Sequence, residues 1–301
     1  MNILVTGGAG YLGSAAVAAL GDAGHTVRVY DSLLYHDLYS EAVDFVKGDV
    51  RNEDALLPNL KWAGAVIWLA ALVGDAACER DKEVARSVNH KAVAWLRSNF
   101  DGRIVFPSTC SVYGHSDAIA DESCPLKPLS VYAQTKAAAE ATLNGDAVIF
   151  RLGTLFGLSG QHGRFRMDLV VNAMTVRACT EGMVAVRGGG QWRPLLHVKD
   201  AARALAAGVC GPVGTYNLVG QNTTIASLAD LVTAEVPGAQ IERIEGAEGV
   251  EDPRNYRVNG DKAANVLGFL PSRPVVTGIR EIKALVRSGR LSNPASGRFT
   301  N

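Results

Sequence analysis

The first thirty-one residues leave this chain little choice of fold. Asn2 to Thr6 is a short apolar run that reads as a buried strand, and Gly7-Gly-Ala-Gly10-Tyr11-Leu12-Gly13 follows without a break. Ser14 to Ala23 alternates small and apolar residues at helical spacing, and Gly24 ends it. His25 to Tyr30 reads as a second strand, closed by Asp31. Strand, glycine turn, helix, strand and acid in this order predict a dinucleotide-binding unit. Gly7 and Gly10 lack a Cβ, so the backbone can turn tightly and approach a diphosphate beside Tyr11 and Leu12. Gly13 lets the helix lie close to the strand. The N–H groups that open the helix favour negative charge. Asp31 stands eighteen residues after Gly13, where, next to Ser32, it can accept hydrogen bonds from ribose hydroxyls. Its charge repels a 2′-phosphate, which points to NAD rather than NADP.

The pattern continues through the first half. Ala42 to Lys47 reads as a strand, followed by Gly48-Asp49-Val50. Ala65 to Leu69 is a continuous apolar run, as in a strand buried on both faces, and ends in Ala70-Ala71. Asp81 to Phe100 has helical periodicity, Arg103 to Pro107 is a strand, Tyr132 to Leu143 an Ala-rich helix and Ala147 to Arg151 another strand. The fold class expected is α/β: a Rossmann-type doubly wound parallel sheet with a smaller C-terminal substrate-binding lobe. The first lobe is expected to take residues 1–151 and about 195–222, the second 152–194 and 223–301. Helices are expected at 225–236, 262–267 and 276–286, with a loose tail after Ser288 that Phe299 could pin.

Composition narrows the partners. Thirty basic and thirty acidic residues cancel, which argues against nucleic acid or a membrane surface as the main partner. No apolar run approaches the roughly 20 residues that cross a bilayer. Met1 leads straight into the first strand, so no signal peptide is expected. Five scattered cysteines without a C-x-x-C pair read as reduced thiols of a cytoplasmic protein, and six dispersed histidines predict no metal site.

The chemistry-bearing constellation is Ser108-Thr109-Cys110-Ser111-Val112-Tyr113-Gly114 after a strand, then Tyr132-Ala-Gln-Thr-Lys136. Tyr132 and Lys136 project from one helix face. A free phenol titrates near 10 and is a poor base at neutral pH. An ammonium about 4 Å away contributes roughly 4 kcal/mol at an effective dielectric of about 20, enough to lower the phenol by about three units. Thr109 can hydrogen-bond the reacting hydroxyl.

These residues resemble an extended short-chain dehydrogenase/reductase of the NAD-dependent nucleotide-sugar epimerase/dehydratase family, on its UDP-glucose 4-epimerase-like side. The glycine spacing, Asp31, Gly48-Asp49-Val50, Leu69-Ala70-Ala71, Asn89, Thr109 to Gly114, Tyr132, Lys136, Arg151 and His197-Val-Lys-Asp200 carry the resemblance across the whole chain. It implies that Asp49 and Val50 flank the adenine, that Leu69 to Ala71 line the nicotinamide side, with Asn89 and Pro107 in the same cofactor set, and that Lys136 holds the nicotinamide ribose. It implies a nucleoside-diphosphate sugar whose 4-hydroxyl is oxidised by NAD, and a homodimer through a four-helix bundle built from residues 81–100 and 132–144. Arg193 stands where the family has its diphosphate arginine. Val73, Thr109, Ser111, Thr154, Arg164, Arg166, Asn172, Asp252 and Arg254 complete the expected substrate set. His197 is expected to be structural.

Some positions depart from the family. Its Arg-x-x-Asn is Arg151-Leu-Gly-Thr154 here. The Asp-Glu that 4,6-dehydratases carry after the catalytic threonine is Cys110-Ser111, which disfavours elimination of water. The segments 69–74, 151–157 and 166–172 also resemble nucleotide-heptose dehydrogenases. The readings are therefore a 4-epimerase first, then a 4-dehydrogenase or ketoreductase, then a dehydratase, and outside enzymes an NAD-sensing regulator. Asp31 makes one expectation independent of that choice. NAD should bind far more tightly than NADP in calorimetry; equal affinities would remove Asp31 from cofactor selection.

Overall fold

The computed structural model describes residues 1–35, 43–143, 145–160, 163–244 and 254–290. In chain order the first part holds β1 (Asn2–Thr6), α1 (Tyr11–Asp22), β2 (Thr26–Asp31), β3 (Asp44–Lys47), α2 (Glu53–Trp62), β4 (Ala65–Trp68), α3 (Asp75–Arg80), α4 (Lys82–Arg86), α5 (Ala92–Asn99), β5 (Arg103–Thr109), β6 (Ile119–Ala120), α6 (Val131–Leu143) and β7 (Ala147–Leu152). The second part holds β8 (Thr154–Phe156), α7 (Val170–Glu181), β9 (Met183–Arg187), β10 (Trp192–His197), α8 (Val198–Gly208), β11 (Gly214–Leu218), β12 (Gln221–Thr224), α9 (Ile225–Glu235), β13 (Gln240–Ile244), β14 (Arg257–Val258), α10 (Asp261–Leu267) and α11 (Val275–Arg287).

Seven parallel strands form the main sheet in the order β11-β7-β5-β4-β1-β2-β3. The chain winds outward from β1 in one direction and from β4 in the other. The crevice at the carboxyl ends of β1 and β4 is therefore the topological switch point, where such sheets bind ligands. Alternate strand residues feed two cores. Ile3, Val5, Val148 and Phe150 meet Ala16 and Leu20 of α1 and Ala201 and Leu205 of α8. Leu4, Val66, Trp68 and Phe106 meet Leu56 and Leu60 of α2, Val93 and Leu96 of α5 and Leu143 of α6. Burial on both faces explains why these strands read as unbroken apolar runs.

The second lobe has its own core around Phe156, Val171, Val184, Leu195, Leu228 and Ile279. Its strands form the three-stranded sheet β12-β10-β8 and the pair β13-β9, while β14 pairs β6 of the first lobe. The return to the large sheet starts at α8 and β11. Residues 192–197 stay with β8 and β12 because β10 pairs both.

Two local expectations are corrected. The strand expected from Ala42 begins at Asp44. The helix expected at 81–100 is interrupted by a π-helical turn at Ser87–Lys91, which turns Asn89 inward; such turns recur at functional sites. Beyond Arg290 the expected tail, with Phe299, lies outside the described residues.

Candidate active site

Gly7 and Gly10 follow β1, Leu69 to Ala71 follow β4, Asp31 closes β2, and Asp49 and Val50 follow β3. Gly7 has φ +74°, and a Cβ there would lie 2.7 Å from the backbone nitrogen of Ala70. A Cβ at Gly13 would lie 2.2 Å from the Gly7 carbonyl oxygen. The turn thus passes directly against the end of β4, where Leu69 donates to the Thr6 carbonyl at 2.9 Å. Gly10 caps α1 without a side-chain cap, and the first turn carries no acid. That leaves Tyr11 and Leu12 at an open, positively polarised helix start. Asp31 accepts from Ala9 N at 3.0 Å and from Leu33 N at 2.8 Å, which aims its carboxylate along the glycine turn with Ser32 beside it. Asp49 receives the Arg51 guanidinium at 2.6 Å, and Val50 is buried next to it. Pro107 is buried in β5. The close-packed turn, uncapped helix start and distal acid suit a dinucleotide diphosphate and an unphosphorylated ribose.

Asn89 is a positioning residue. Its amide takes the Leu72 N–H at 2.8 Å, donates to the Leu72 carbonyl at 2.9 Å and to Thr135 Oγ1 at 3.1 Å. It thereby fixes the segment 69–73, which ends at Val73, against the helix that carries Tyr132 and Lys136.

Lys136 is 3% exposed, with its ammonium 4.1 Å from the Phe106 ring centroid. Burial pulls it down to about 7, opposed by Glu140 one turn further along. Burial also pushes the Tyr132 phenol well above its ordinary value; Cys78 adds to this, and Arg166 is the cation that opposes it. Burial thus disfavours the charged form of each group in the absence of cofactor.

Thr109 accepts the Ser111 N–H at 3.1 Å, which leaves its hydroxyl hydrogen to donate. Ser111 Oγ lies 3.1 Å from the Tyr256 hydroxyl and links the two lobes. Cys110 is fully buried with its thiol on the Arg151 carbonyl at 3.2 Å, and burial pushes it up, as befits an inert packed thiol.

The expected substrate residues divide. Arg166 forms a bidentate pair with Asp168, both contacts at 2.6 Å, and its charge reaches both Tyr11 and Tyr132. Arg193 is buried and its guanidinium donates to the backbone carbonyls of Trp192 and Arg254. Arg254 pairs with Asp75 at 2.7 Å across the cleft. Thr154 lies in β8, in register with Leu195. Asn172 is fully buried, accepting from Gly157 N at 3.0 Å and donating to the Arg166 carbonyl at 2.8 Å, so it shapes the loop that carries Arg164 and Arg166. Arg164 stacks on Tyr35, on the cofactor side. Asp252 lies outside the described residues. His197 accepts the Lys199 N–H at Nδ1 (3.2 Å), so its Nε2–H donates to Glu281 (3.0 Å); it is structural, as expected.

Sequence reasoning passed over Glu140, Asp75 and Tyr35. Glu140 had a visible signal: the one acid in an Ala-rich helix, eight residues after Tyr132 and so on the same face. Asp75 and Tyr35 have none, because their partners lie far away in sequence.

A glycine-turn dinucleotide site joined to a Tyr-x-x-x-Lys pair with a buried lysine defines an NAD-dependent enzyme of the extended short-chain dehydrogenase/reductase type. The chain matches the NAD dependent epimerase/dehydratase family over residues 3–210 and belongs to it. A UDP-glucose 4-epimerase of Rhizobium meliloti (strain 1021) is 31% identical, with 90% of this chain and 92% of that protein covered. A dTDP-glucose 4,6-dehydratase of Actinoplanes sp. is 30% identical, with 96% and 99% covered. The solved structure of MoeE5 in complex with UDP-glucose and NAD has a TM-score of 0.81 at 26% identity, covering 96% of this chain and 100% of that one.

Tyr132→Phe should leave the fold and NAD affinity nearly intact while lowering turnover roughly 10²-fold or more. Turnover near that of the unaltered protein would remove Tyr132 from proton transfer.

Proposed function

We propose that this protein is an NAD-dependent nucleotide-sugar 4-epimerase. The observation that carries this is the pairing of Tyr132 and Thr109 with Cys110-Ser111. The proton-handling pair is present, but where an elimination needs an acid and a base there stand a packed thiol and a serine held by Tyr256. NAD, when bound, would supply a hydride acceptor and donor for C4 and a positively charged ring. Tyr132 takes the 4-hydroxyl proton and gives it back. Thr109 donates to the same oxygen and holds it in line. Lys136 is placed for the ribose hydroxyls, and Asp31 holds the adenosine ribose. Arg193, with Arg166, Arg254 and Thr154, faces the cleft where a sugar diphosphate would lie. The chemistry favours a planar guanidinium as diphosphate ligand.

A 4-dehydrogenase uses the same residues and differs only in releasing the keto sugar. The test is incubation with a panel of nucleotide sugars, following nicotinamide absorbance and product composition. The expected result is a C4 isomer without net reduction of NAD. Stoichiometric NADH would instead make the protein a dehydrogenase, and inertness with intact NAD binding would favour a sensor.

Assembly belongs to this reading too. Residues 81–100 and α6 pack together, and the partly buried Trp95 with Ala137, Ala138 and Ala141, which are not buried, suits close packing of a second copy into a four-helix bundle. Light scattering at micromolar concentration should give the mass of a dimer; a monomeric mass refutes it. Among the described residues no helix is long and apolar enough to cross a membrane, and five free thiols accord with a cytoplasmic setting.

A further inference from the structure

The described residues between β8 and α7 rest on the first turn of α1. Tyr11 donates its hydroxyl to the Gly157 carbonyl at 2.7 Å. Ser159 Oγ donates to the Tyr11 carbonyl and lies 2.7 Å from Ser14 Oγ. A Cβ on Gly163 would fall 2.0 Å from Ser14 Oγ, so the backbone there passes close against α1. The next residue is Arg164. It is 6% exposed, and its guanidinium carbon stands 3.8 Å from the centroid of the Tyr35 ring.

Tyr35 belongs to the turn that follows Asp31. The Leu33 N–H bonded to Asp31 and the positive φ of Leu33, +56°, fix that turn. Asp31 is in turn tied to the glycine turn through Ala9. The segment that brings Arg164 is thus seated on the start of α1 at Ser14, while its guanidinium lies against the turn beyond the ribose acid. Between those two supports runs the crevice in which a dinucleotide diphosphate lies at a helix start.

We propose that Arg164, backed by Tyr35, is a ligand of the cofactor's diphosphate, so that the second lobe completes the NAD site. The proposal rests on the NAD-dependent reading above and moves Arg164 from the sugar donor to the cofactor. A guanidinium offers two parallel N–H donors to a phosphate, and the aromatic face beneath holds its plane. Among the charges that act on it, Arg166 repels while Tyr35 and Asp168 attract; burial and Arg166 hold the Arg164 guanidinium below its ordinary value. A cofactor gripped by both lobes stays through turnover, which suits a reaction that returns its hydride.

The test measures binding to the full chain by calorimetry and dissociation by stopped flow, with NAD, adenosine and UDP as probes. Arg164→Ala should weaken NAD roughly tenfold or more and speed its release, the scale of a lost charged hydrogen bond. Adenosine and UDP affinities should stay unchanged, and Arg164→Lys should restore part of the loss. Should Arg164→Ala fold poorly, Tyr35→Leu should still speed NAD release severalfold at unchanged UDP affinity. NAD affinity and release unchanged in both variants would overturn the proposal, as would a loss confined to UDP. If the unaltered protein bound no NAD, the NAD-dependent reading would fall first, a result distinct from either.

Discussion

The buried ion pair between Glu140 and Arg151 holds the catalytic face in place. Both side chains are less than a tenth exposed, and Arg151 meets the carboxylate through Nη2 at 2.7 Å and Nε at 3.1 Å. Ser108 of β5 donates to the same carboxylate, so helix α6 is tied to the ends of β5 and β7 at one point. Burial alone would lower the guanidinium; the bond and charge of Glu140 more than offset it and hold it above its ordinary value. Arg151 also donates to the Tyr113 hydroxyl at 2.8 Å, Tyr113 donates to Asn217 of β11 at 2.7 Å, and Asn217 N reaches Glu122 at 2.6 Å. A buried pair of this kind is weak evidence for net stability, but losing one partner leaves an uncompensated charge at a cost of about 3–5 kcal/mol. Its fully satisfied bonds instead fix one arrangement of the helix that carries Tyr132 and Lys136.

The same carboxylate acts on the chemistry at short range. Lys136, buried over Phe106, depends on Glu140 to oppose the desolvation that pulls its ammonium toward neutrality. For Tyr132, one turn earlier, burial, Cys78 and Asp75 raise the phenol and the cation of Arg166 opposes them. Residues of both lobes thus act on the phenol, Cys78 and Asp75 from the first and Arg166 and Tyr256 from the second.

The contact between the lobes is polar and specific. Tyr11 on Gly157, Ser14 on Ser159, Ser111 on Tyr256 and Asp75 on Arg254 all join residues far apart in sequence. Glu281 of α11 takes the Nε2–H of His197 and the N–H of Leu158, and so stiffens the loop at its base. Asp200 is fully buried and accepts from the backbone of Ser272 and Arg273, anchoring α8 to the approach to α11. The His197-Val-Lys-Asp200 segment thus serves the joint between lobes without touching the reacting atoms.

Much of this was legible in the sequence, because the relevant signals are local. A glycine turn between an apolar strand and a helix, an acid at the end of the next strand, and Tyr132 four residues before Lys136 are set by backbone sterics and helical period. They determine the parallel sheet and its switch point. The π turn at 87–91 was not legible, because it exists to bring Asn89 onto Leu72 and Thr135, neither near it in sequence. The roles of Asn172 and Arg164 were likewise decided by what lies opposite them: a loop backbone for one, an aromatic ring 129 residues upstream for the other. Sequence alone determines what a residue can do with its neighbours along the chain. Which charges it feels, and whether water reaches it, follow from distances that only the packed tertiary structure sets.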